Sequence, residues 1–174
     1  MIPDNNHVAY YCSPSKLEDG LPSSEAFLPR WSVRYGAYEE HISVNHLEHF
    51  GDVGTACALR CIRDALLEKI ELKPTGGIAV LNVGEVRRAG RKAGNEAIRV
   101  EERPIEGDPA SDPPVLPDPS HAGIVGFECA SRRVRGRTQL DLRTALVLQS
   151  LVKMDDMHRA VTADVEPQPV RVDG

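Results

Sequence analysis

Two histidines and a serine of this sequence are candidates for acid–base or nucleophilic chemistry. His7 opens "HVAYYC", Ser43 lies within "HISVN", and His121 follows a proline-rich stretch in "PSHAGIVGF". A catalytic histidine needs a partner that sets its tautomer and a reacting group within reach. Ser120 does not qualify as the nucleophile, because adjacent strand residues point to opposite faces. We therefore interpret His121 as an imidazole that bonds the loop backbone, and retain all three residues as catalytic candidates if the fold gathers them in one pocket.

A second candidate site combines two histidines with two cysteines. His46 and His49 are three residues apart, and Cys57 and Cys61 are four apart, so the cysteines would share one helix face. Imidazole and thiolate are suitable zinc ligands, yet this order and spacing match no zinc module. We predict no metal and no cofactor, and interpret the cysteines as small apolar residues.

Arginines are concentrated in "SRRVRGR", ahead of the last predicted helix. Guanidinium groups bind phosphate and carboxylate groups through paired hydrogen bonds, so this loop is a candidate clamp for a phosphate or an acidic partner. A solvated charged loop is the alternative interpretation. The candidate residues of this loop are Arg132, Arg133, Arg135 and Arg137.

The elements that would position these residues can be read from hydrophobic patterns. The segment from Val53 to Leu72 predicts an amphipathic helix whose buried side is formed by Leu59, Ile62, Leu66 and Ile70. A second long helix is predicted from Leu140 to Met157, with Leu142, Ala145, Leu146, Leu148 and Val152 on its apolar side. Strands are predicted at "HVAYYC", "HISVN", "IAVLNV", "AIRVEE" and "GIVGFECA", with a short helix at "GEVRRAGRKAG".

This order of elements predicts an α+β domain, in which a small mixed β-sheet carries two longer helices packed against it. We expect one domain over residues 1–160, interrupted by a proline-rich loop at 104–119 whose residues have little reason to pack, and a disordered tail at 161–174. The stretch "NVGEV" has one glycine where a dinucleotide-binding turn needs three, which argues against a Rossmann domain.

Composition excludes several classes of protein. The chain has 174 residues, 41% of them hydrophobic, and a net charge of −5, so no overall positive field would attract nucleic acid or anionic lipid. No apolar run reaches the length needed to cross a membrane, and the first residues lack the pattern of a signal peptide. Four cysteines do not form a disulfide framework. We therefore expect a cytoplasmic protein.

Three segments resemble an uncharacterised family of small bacterial proteins. "DGLPSSEAF", "HISVN" and "GIAVLNVGEVRRAG", the last followed by a proline-containing loop that ends in "DPSHAGIVG", resemble that family's segments in the same order. The family pattern has a D-G-x-P-x-S-x-A-F stretch, an L-S-V strand and a P-x-H-A-[LI]-[IV]-x-G segment. Ile42 stands where the family has leucine. The resemblance implies an element order without an activity, because the family has none established. The matching positions are Asp19, Gly20, Ser24, Phe27, Ser43, Val44, Gly77, Gly84, His121 and Gly126.

Three functional hypotheses follow from these observations. The favoured one is a non-catalytic cytoplasmic module of a bacterial system that binds another protein. The alternative is an enzyme acting on a nucleotide, with an ADP-ribosyl transferase-like domain and His7, Ser43 and His121 as its polar groups. The third is a nucleic-acid-binding module that uses the arginine-rich loop at 132–137.

Overall fold

A computed structural model describes residues 1–33, 35–131 and 136–161 of the chain as a single α+β domain. The predicted tail at 161–174 falls outside the described residues except for Val161. The strands are β1 (His7–Cys12), β2 (Leu17–Glu18), β3 (Leu21–Pro22), β4 (Trp31–Ser32), β5 (Ala37–Tyr38), β6 (Ile42–His46), β7 (Gly77–Asn82), β8 (Arg99–Glu102), β9 (His121–Val125) and β10 (Met157–Arg159). The helices are α1 (Thr55–Leu67), α2 (Val83–Lys92) and α3 (Gln139–Gln149).

Six strands form the main sheet, in the order β10-β7-β1-β6-β9-β8. The other two strand pairs, β2 with β3 and β4 with β5, are short hairpins. The predicted α+β class is confirmed. Its sheet is more uniform than the mixed sheet expected, since all pairs in the six-stranded sheet are antiparallel.

One face of the sheet is covered by α2 and α3 and holds the larger core. Alternate strand residues point into it, as the period of two requires. Their apolar partners come from the helices and from the segment around Phe27. The strand residues that fill this core include Val8, Val44, Leu81, Val100 and Ile124, each almost fully buried.

The opposite face is covered by α1 on one half only. Leu59 and Ile62 of α1 are buried against Ala9 and Ile78 of the central strands. The predicted helix from 53 to 72 is shorter than expected, because it ends at Leu67. Leu66 is half-buried, and the prediction that Ile70 is buried is wrong: it lies beyond the helical repeat and is 43% exposed.

The last helix is also shorter than its pattern suggested. It ends at Gln149, and the segment predicted to continue it instead turns back, where Met157–Arg159 pairs with β7 as an edge strand. Leu146 was expected on the apolar side but is exposed. The buried side of this short helix is formed by Ala145 and Leu148, and Leu146 lies off that stripe.

The proline-rich segment forms an arm and not a structureless loop. We call residues 103–120 the arm. Its two sides face each other in antiparallel bridges, Ile105 with Asp118 and Asp108 with Val115, continuing the pairing of β8 with β9. The side chains of residues 104–117 are exposed or half-buried, and backbone hydrogen bonds, which the sequence did not predict, supply the order that apolar side chains do not.

The strand predicted from Gly123 to Ala130 ends at Val125, because the backbone of Gly126 has a positive φ and leaves strand geometry. This glycine has a φ of +102°, and a Cβ at this position would lie 2.2 Å from the carbonyl oxygen of Ala97. The chain turns there and continues as the short 3₁₀ turn Glu128–Ala130.

Within the described ranges, no helix has both the length and the apolar character needed to cross a membrane.

Candidate functional site

A cleft of about 1180 Å³ opens at the end of the sheet where β6 begins. Its described walls come from the β4–β5 hairpin, from the start of β6, and from the segment after β9. We call it the aromatic cleft, because Trp31, Tyr35 and Tyr38 all line it. His41 and Ser43 lie on the β6 side, and residues 129–131 line the third.

The hairpin exposes large apolar side chains. Trp31 pairs with Tyr38 across the two strands, and their rings meet edge to face with centroids 5.2 Å apart. Trp31 is nevertheless 54% exposed, Val33 87% and Tyr35 74%. Exposed tryptophan and tyrosine side chains in one surface patch are typical of protein-binding sites, where they bury much area at little entropic cost.

A buried carboxylate holds the segment after β9 in place. Asp141, in the first turn of α3, accepts hydrogen bonds from the backbone N–H groups of Glu128, Cys129 and Thr138, at 2.7 to 3.0 Å. Burial and, to a smaller extent, the Asp141 carboxylate raise the pKa of the Cys129 thiol to about 12. Cys129 is thus an inert thiol at neutral pH.

Three cations gather beside the cleft. Lys16 donates to the backbone oxygen of Glu25 at 3.0 Å, and Arg137 donates to the carboxylate of the same residue at 2.6 Å. Arg30 forms two hydrogen bonds with Glu39, at 3.1 and 3.3 Å. Burial, together with the charges of Arg30 and Arg137, lowers the pKa of Lys16. The charges of Arg30 and Arg137 are therefore close enough to interact electrostatically with Lys16.

Arg137 connects this cation group to the aromatic cleft. Its guanidinium carbon lies 5.8 Å from the ring centroid of Tyr38, within the range of a cation–π contact. Its Nε is buried and has no hydrogen-bond acceptor in the part of the chain that the structure describes. We call Lys16, Arg30 and Arg137 the cation edge.

A pair of histidines lies on the half of the sheet face that α1 leaves uncovered. The rings of His41 and His121 meet edge to face at 5.3 Å, and the His41 ring lies over Gly123, where a Cβ would come within 2.8 Å of it. Arg103 sets both tautomers. Its carbonyl oxygen accepts from Nδ1 of His121 at 2.7 Å, and its guanidinium donates to Nδ1 of His41 at 3.4 Å.

The surroundings of His41 favour its neutral form. Burial, Arg103 and His121 lower the pKa of His41, in that order, and they outweigh Glu39 and Glu40. His41 is thus neutral near pH 7.

The base of the arm is held by a buried polar group, which we call the arm anchor: Asn45, Lys69, Asp118 and Ser120. Asp118 accepts from Nδ2 of Asn45 at 3.1 Å and from Oγ of Ser120 at 2.9 Å, and forms an ion pair with Lys69 at 2.7 Å. Burial would raise the pKa of Asp118, but these partners together lower it. The arm anchor is enclosed, with Asp118 and Ser120 almost fully buried, so it serves the fold.

The three catalytic candidates do not share a pocket. Ser43 is opposite Gly123 at the start of β6, and His121 lies two residues away on the neighbouring strand. His7 lies near the other end of β6, where its backbone and ring bond to the carboxylate of Glu48 at 2.8 to 3.1 Å. The structure thus places Ser43 near His121 and separates His7 from both. His121 makes the backbone hydrogen bond expected of a structural imidazole.

The four metal candidates are also dispersed. His46 is buried and bonds to the side chain of Asn6 at 2.8 Å, and His49 packs edge-on against Phe50. Cys57 is exposed on α1 and Cys61 is half-buried one turn later. Among the residues that the structure describes, no three histidines, cysteines or carboxylates are grouped as metal ligands would be.

Of the arginine-loop candidates, Arg132, Arg133 and Arg135 lie outside the described residues, and Arg137 belongs to the cation edge.

Sequence reasoning missed the aromatic cleft and the residue that orders its third wall. The available signals were the two aromatic-rich stretches around Gly36 in "WSVRYGAY", typical of a hairpin, and the Thr138-x-x-Asp141 capping pattern.

Comparison with known proteins adds no relative, since no protein-family model, no curated protein and no solved structure matches the chain.

Proposed function

We propose that this chain is a non-catalytic module that binds another protein through the aromatic cleft. The observation that carries the proposal is the exposure of Trp31, Val33 and Tyr35 on one short hairpin beside an open cleft. Leaving such side chains in water costs about 25 cal/mol for each Å² of apolar surface, which a partner would recover on binding. Tryptophan and tyrosine are also the residues most often found at binding hot spots.

The placement of the polar groups supports this proposal over an enzyme. A nucleotide-acting enzyme would draw on His7, Ser43 and His121 together, and His7 is instead engaged with Glu48. The thiol at the cleft, Cys129, is protonated at neutral pH because burial raises its pKa to about 12. A bacterial cytoplasmic setting is part of the proposal, and all four cysteines being free thiols supports it.

Site-specific photo-crosslinking tests the proposal in the native host. Benzoylphenylalanine at position 35, on the hairpin, should give a discrete adduct with one partner, which mass spectrometry identifies. The matched control is the same probe at position 146, where Leu146 is also exposed but lies on α3, away from the cleft. An adduct from position 146 with none from position 35 would contradict the proposal.

Affinity measurements with the purified partner then quantify the contact. Trp31→Ala should weaken binding by about 30-fold or more, as expected when a central aromatic contact worth about 2 kcal/mol is removed. Leu146→Ala should leave it unchanged. The enzyme alternative predicts a different result, namely stabilisation by about 2.7 kcal/mol in adenine or nicotinamide nucleotide at a hundred times its dissociation constant.

A further inference from the structure

The cation edge lies beside the aromatic cleft and defines the chemistry of the partner. Lys16 and Arg137 meet at Glu25, and Arg137 covers the ring of Tyr38, which also lines the cleft. Arg30 is bonded to Glu39, which follows Tyr38 in the chain. A segment seated against the aromatic side chains would therefore have this group of cations within reach.

Among the residues that the structure describes, the cations of the cation edge outnumber the carboxylates they contact. The three cations contact two carboxylate residues, Glu25 and Glu39. Of the other acids close by, Glu40 lies 3.4 Å from Arg103, and the Asp141 carboxylate accepts from backbone N–H groups. This group of cations occurs on a chain whose net charge is −5, and it favours an anion as the ligand.

Several hydrogen-bond donors of the cation edge have no acceptor among the described residues. The ammonium group of Lys16 has three N–H bonds and makes one hydrogen bond there. Arg30 bonds through Nε and one terminal nitrogen to described residues, and its side chain is 68% exposed. Arg137 bonds through one terminal nitrogen to the same part of the chain. Guanidinium and ammonium donors of this kind match the oxygens of a carboxylate.

We propose that the cation edge binds an aspartate or glutamate side chain of the partner, next to an apolar residue that enters the aromatic cleft against Trp31. A carboxylate carries one negative charge, so the neighbouring carboxylates of Glu25 and Glu39 repel it less than they would repel a phosphate dianion. The partner segment is thus acidic and apolar. This inference rests on the proposed function and adds the partner's chemistry to it.

Three matched peptides test the charge requirement by isothermal titration of the full chain. The acidic probe is acetyl-Glu-Trp-Glu-Leu-Glu-amide, and the others replace every glutamate with glutamine or with lysine. The acidic peptide should bind at least about tenfold more tightly than the glutamine peptide, and the lysine peptide more weakly than both. Inorganic phosphate at an equal concentration should not compete. Equal binding of all three, no saturable binding of the acidic peptide, or competition by phosphate would overturn the inference.

Charge reversal locates the effect. Arg30→Glu should abolish the preference for the acidic peptide. Because the Arg30 side chain is highly exposed, the substitution should leave the fold intact, and circular dichroism of the variant checks this. Arg60→Glu is the matched control, since Arg60 is an exposed arginine on α1 with no ion pair among the described residues. A preference for the acidic peptide that survives Arg30→Glu would overturn the inference.

The two proposals can fail separately. If binding of the natural partner falls with Trp31→Ala but is unaffected by Arg30→Glu, the protein-binding function stands and the carboxylate inference is wrong. If neither substitution matters, both are wrong.

Discussion

Helix α1 and the arm are attached to the sheet by opposite means. Helix α1 is held by apolar contacts, in which Leu59 and Ile62 pack against Ala9 and Ile78. The arm is held by polar ones, in which the arm anchor and the His121–Arg103 hydrogen bond secure its base. Apolar burial is non-directional and tolerates small movements, whereas each polar bond fixes a position and loses most of its value when one partner is removed.

This difference matters for the candidate site. The arm leaves the sheet from β8 and β9, so its anchor also fixes the strands that carry His121 and the residues beside Ser43. Helix α1 covers only the other half of that sheet face and leaves the half with the histidine pair uncovered. The half of the sheet face under α1 thus contributes apolar stability. The half with the histidine pair holds its side chains in defined positions near the aromatic cleft.

The largest expected effect is on the apolar side of this comparison. Ile62→Ala should lower the free energy of unfolding by about 2–5 kcal/mol, because Ile62 is fully buried and its loss leaves a cavity. Urea denaturation followed by circular dichroism measures it. The matched control is Ile70→Ala, which should cost less than about 1 kcal/mol because Ile70 is substantially exposed. Equal costs for the two would mean that the helix does not pack as described.

The next effect tests the polar side. Asp118→Ala should cost about 2–3 kcal/mol, because it leaves the Lys69 ammonium without its carboxylate partner in a nearly closed site and removes one of the two acceptors of the Asn45 amide. Glu106→Ala, an exposed acid in the same arm, should have almost no effect.

A double variant sharpens this measurement. Adding Lys69→Met to Asp118→Ala removes the unpaired cation, so the double variant should be more stable than Asp118→Ala alone. If the double variant is instead less stable by the sum of the two single effects, the ion pair does not couple these residues.

The contrast also explains which parts of the structure could be predicted from sequence. The repeat that marked Leu59 and Ile62 lies within one helix and needs no knowledge of the partner surface. The patterns that predicted strands β1, β6 and β7 likewise lie within single short segments of the sequence. The arm anchor could not be found this way, because its residues come from β6, from the chain after α1 and from the arm.

The candidate site shows the same limit. The hairpin with Trp31 and Tyr38 carried a local signal, and the capping pattern of Asp141 did too. The hairpin and the segment held by Asp141 meet at one cleft because of the path of the chain between them. No periodic sequence pattern covers that path, so the meeting could not be predicted. The predicted burial of Ile70 is wrong for the opposite reason. The apolar repeat continues in the sequence after the helix has ended at Leu67.

A smaller effect is expected at the arm's other attachment. His121→Ala removes one hydrogen bond to the Arg103 carbonyl, a loss of about 1 kcal/mol for a half-buried group. The arm should then open more often and be cleaved faster by a nonspecific protease between residues 105 and 118. His49→Ala, which removes an exposed imidazole elsewhere, should leave the cleavage rate unchanged. Cleavage at the wild-type rate in His121→Ala would mean that this bond does not hold the arm.

The smallest effect is a pH dependence that originates in the histidine pair. His41 has its pKa lowered by burial, Arg103 and His121, against the opposing Glu39 and Glu40. A histidine with a lowered folded-state pKa takes up a proton more readily in the unfolded chain, so stability falls as pH decreases through the ordinary histidine pKa of about 6.5. Protonation would also turn Nδ1 of His41 into a donor that faces the Arg103 guanidinium.

His41→Gln should therefore flatten the decline in stability between about pH 7.5 and about pH 5, by less than about 1 kcal/mol because the ring is partly exposed. Urea denaturation at several pH values in this window measures it, and the window excludes Asp118 and Glu48, whose pKa values lie below their ordinary range. His46 also has a pKa lowered by burial, despite Glu48 and Glu102, so the wild-type decline has two sources and His41→Gln should remove only part of it. An unchanged slope in His41→Gln would mean that burial and Arg103 do not lower the pKa of His41 in the folded chain.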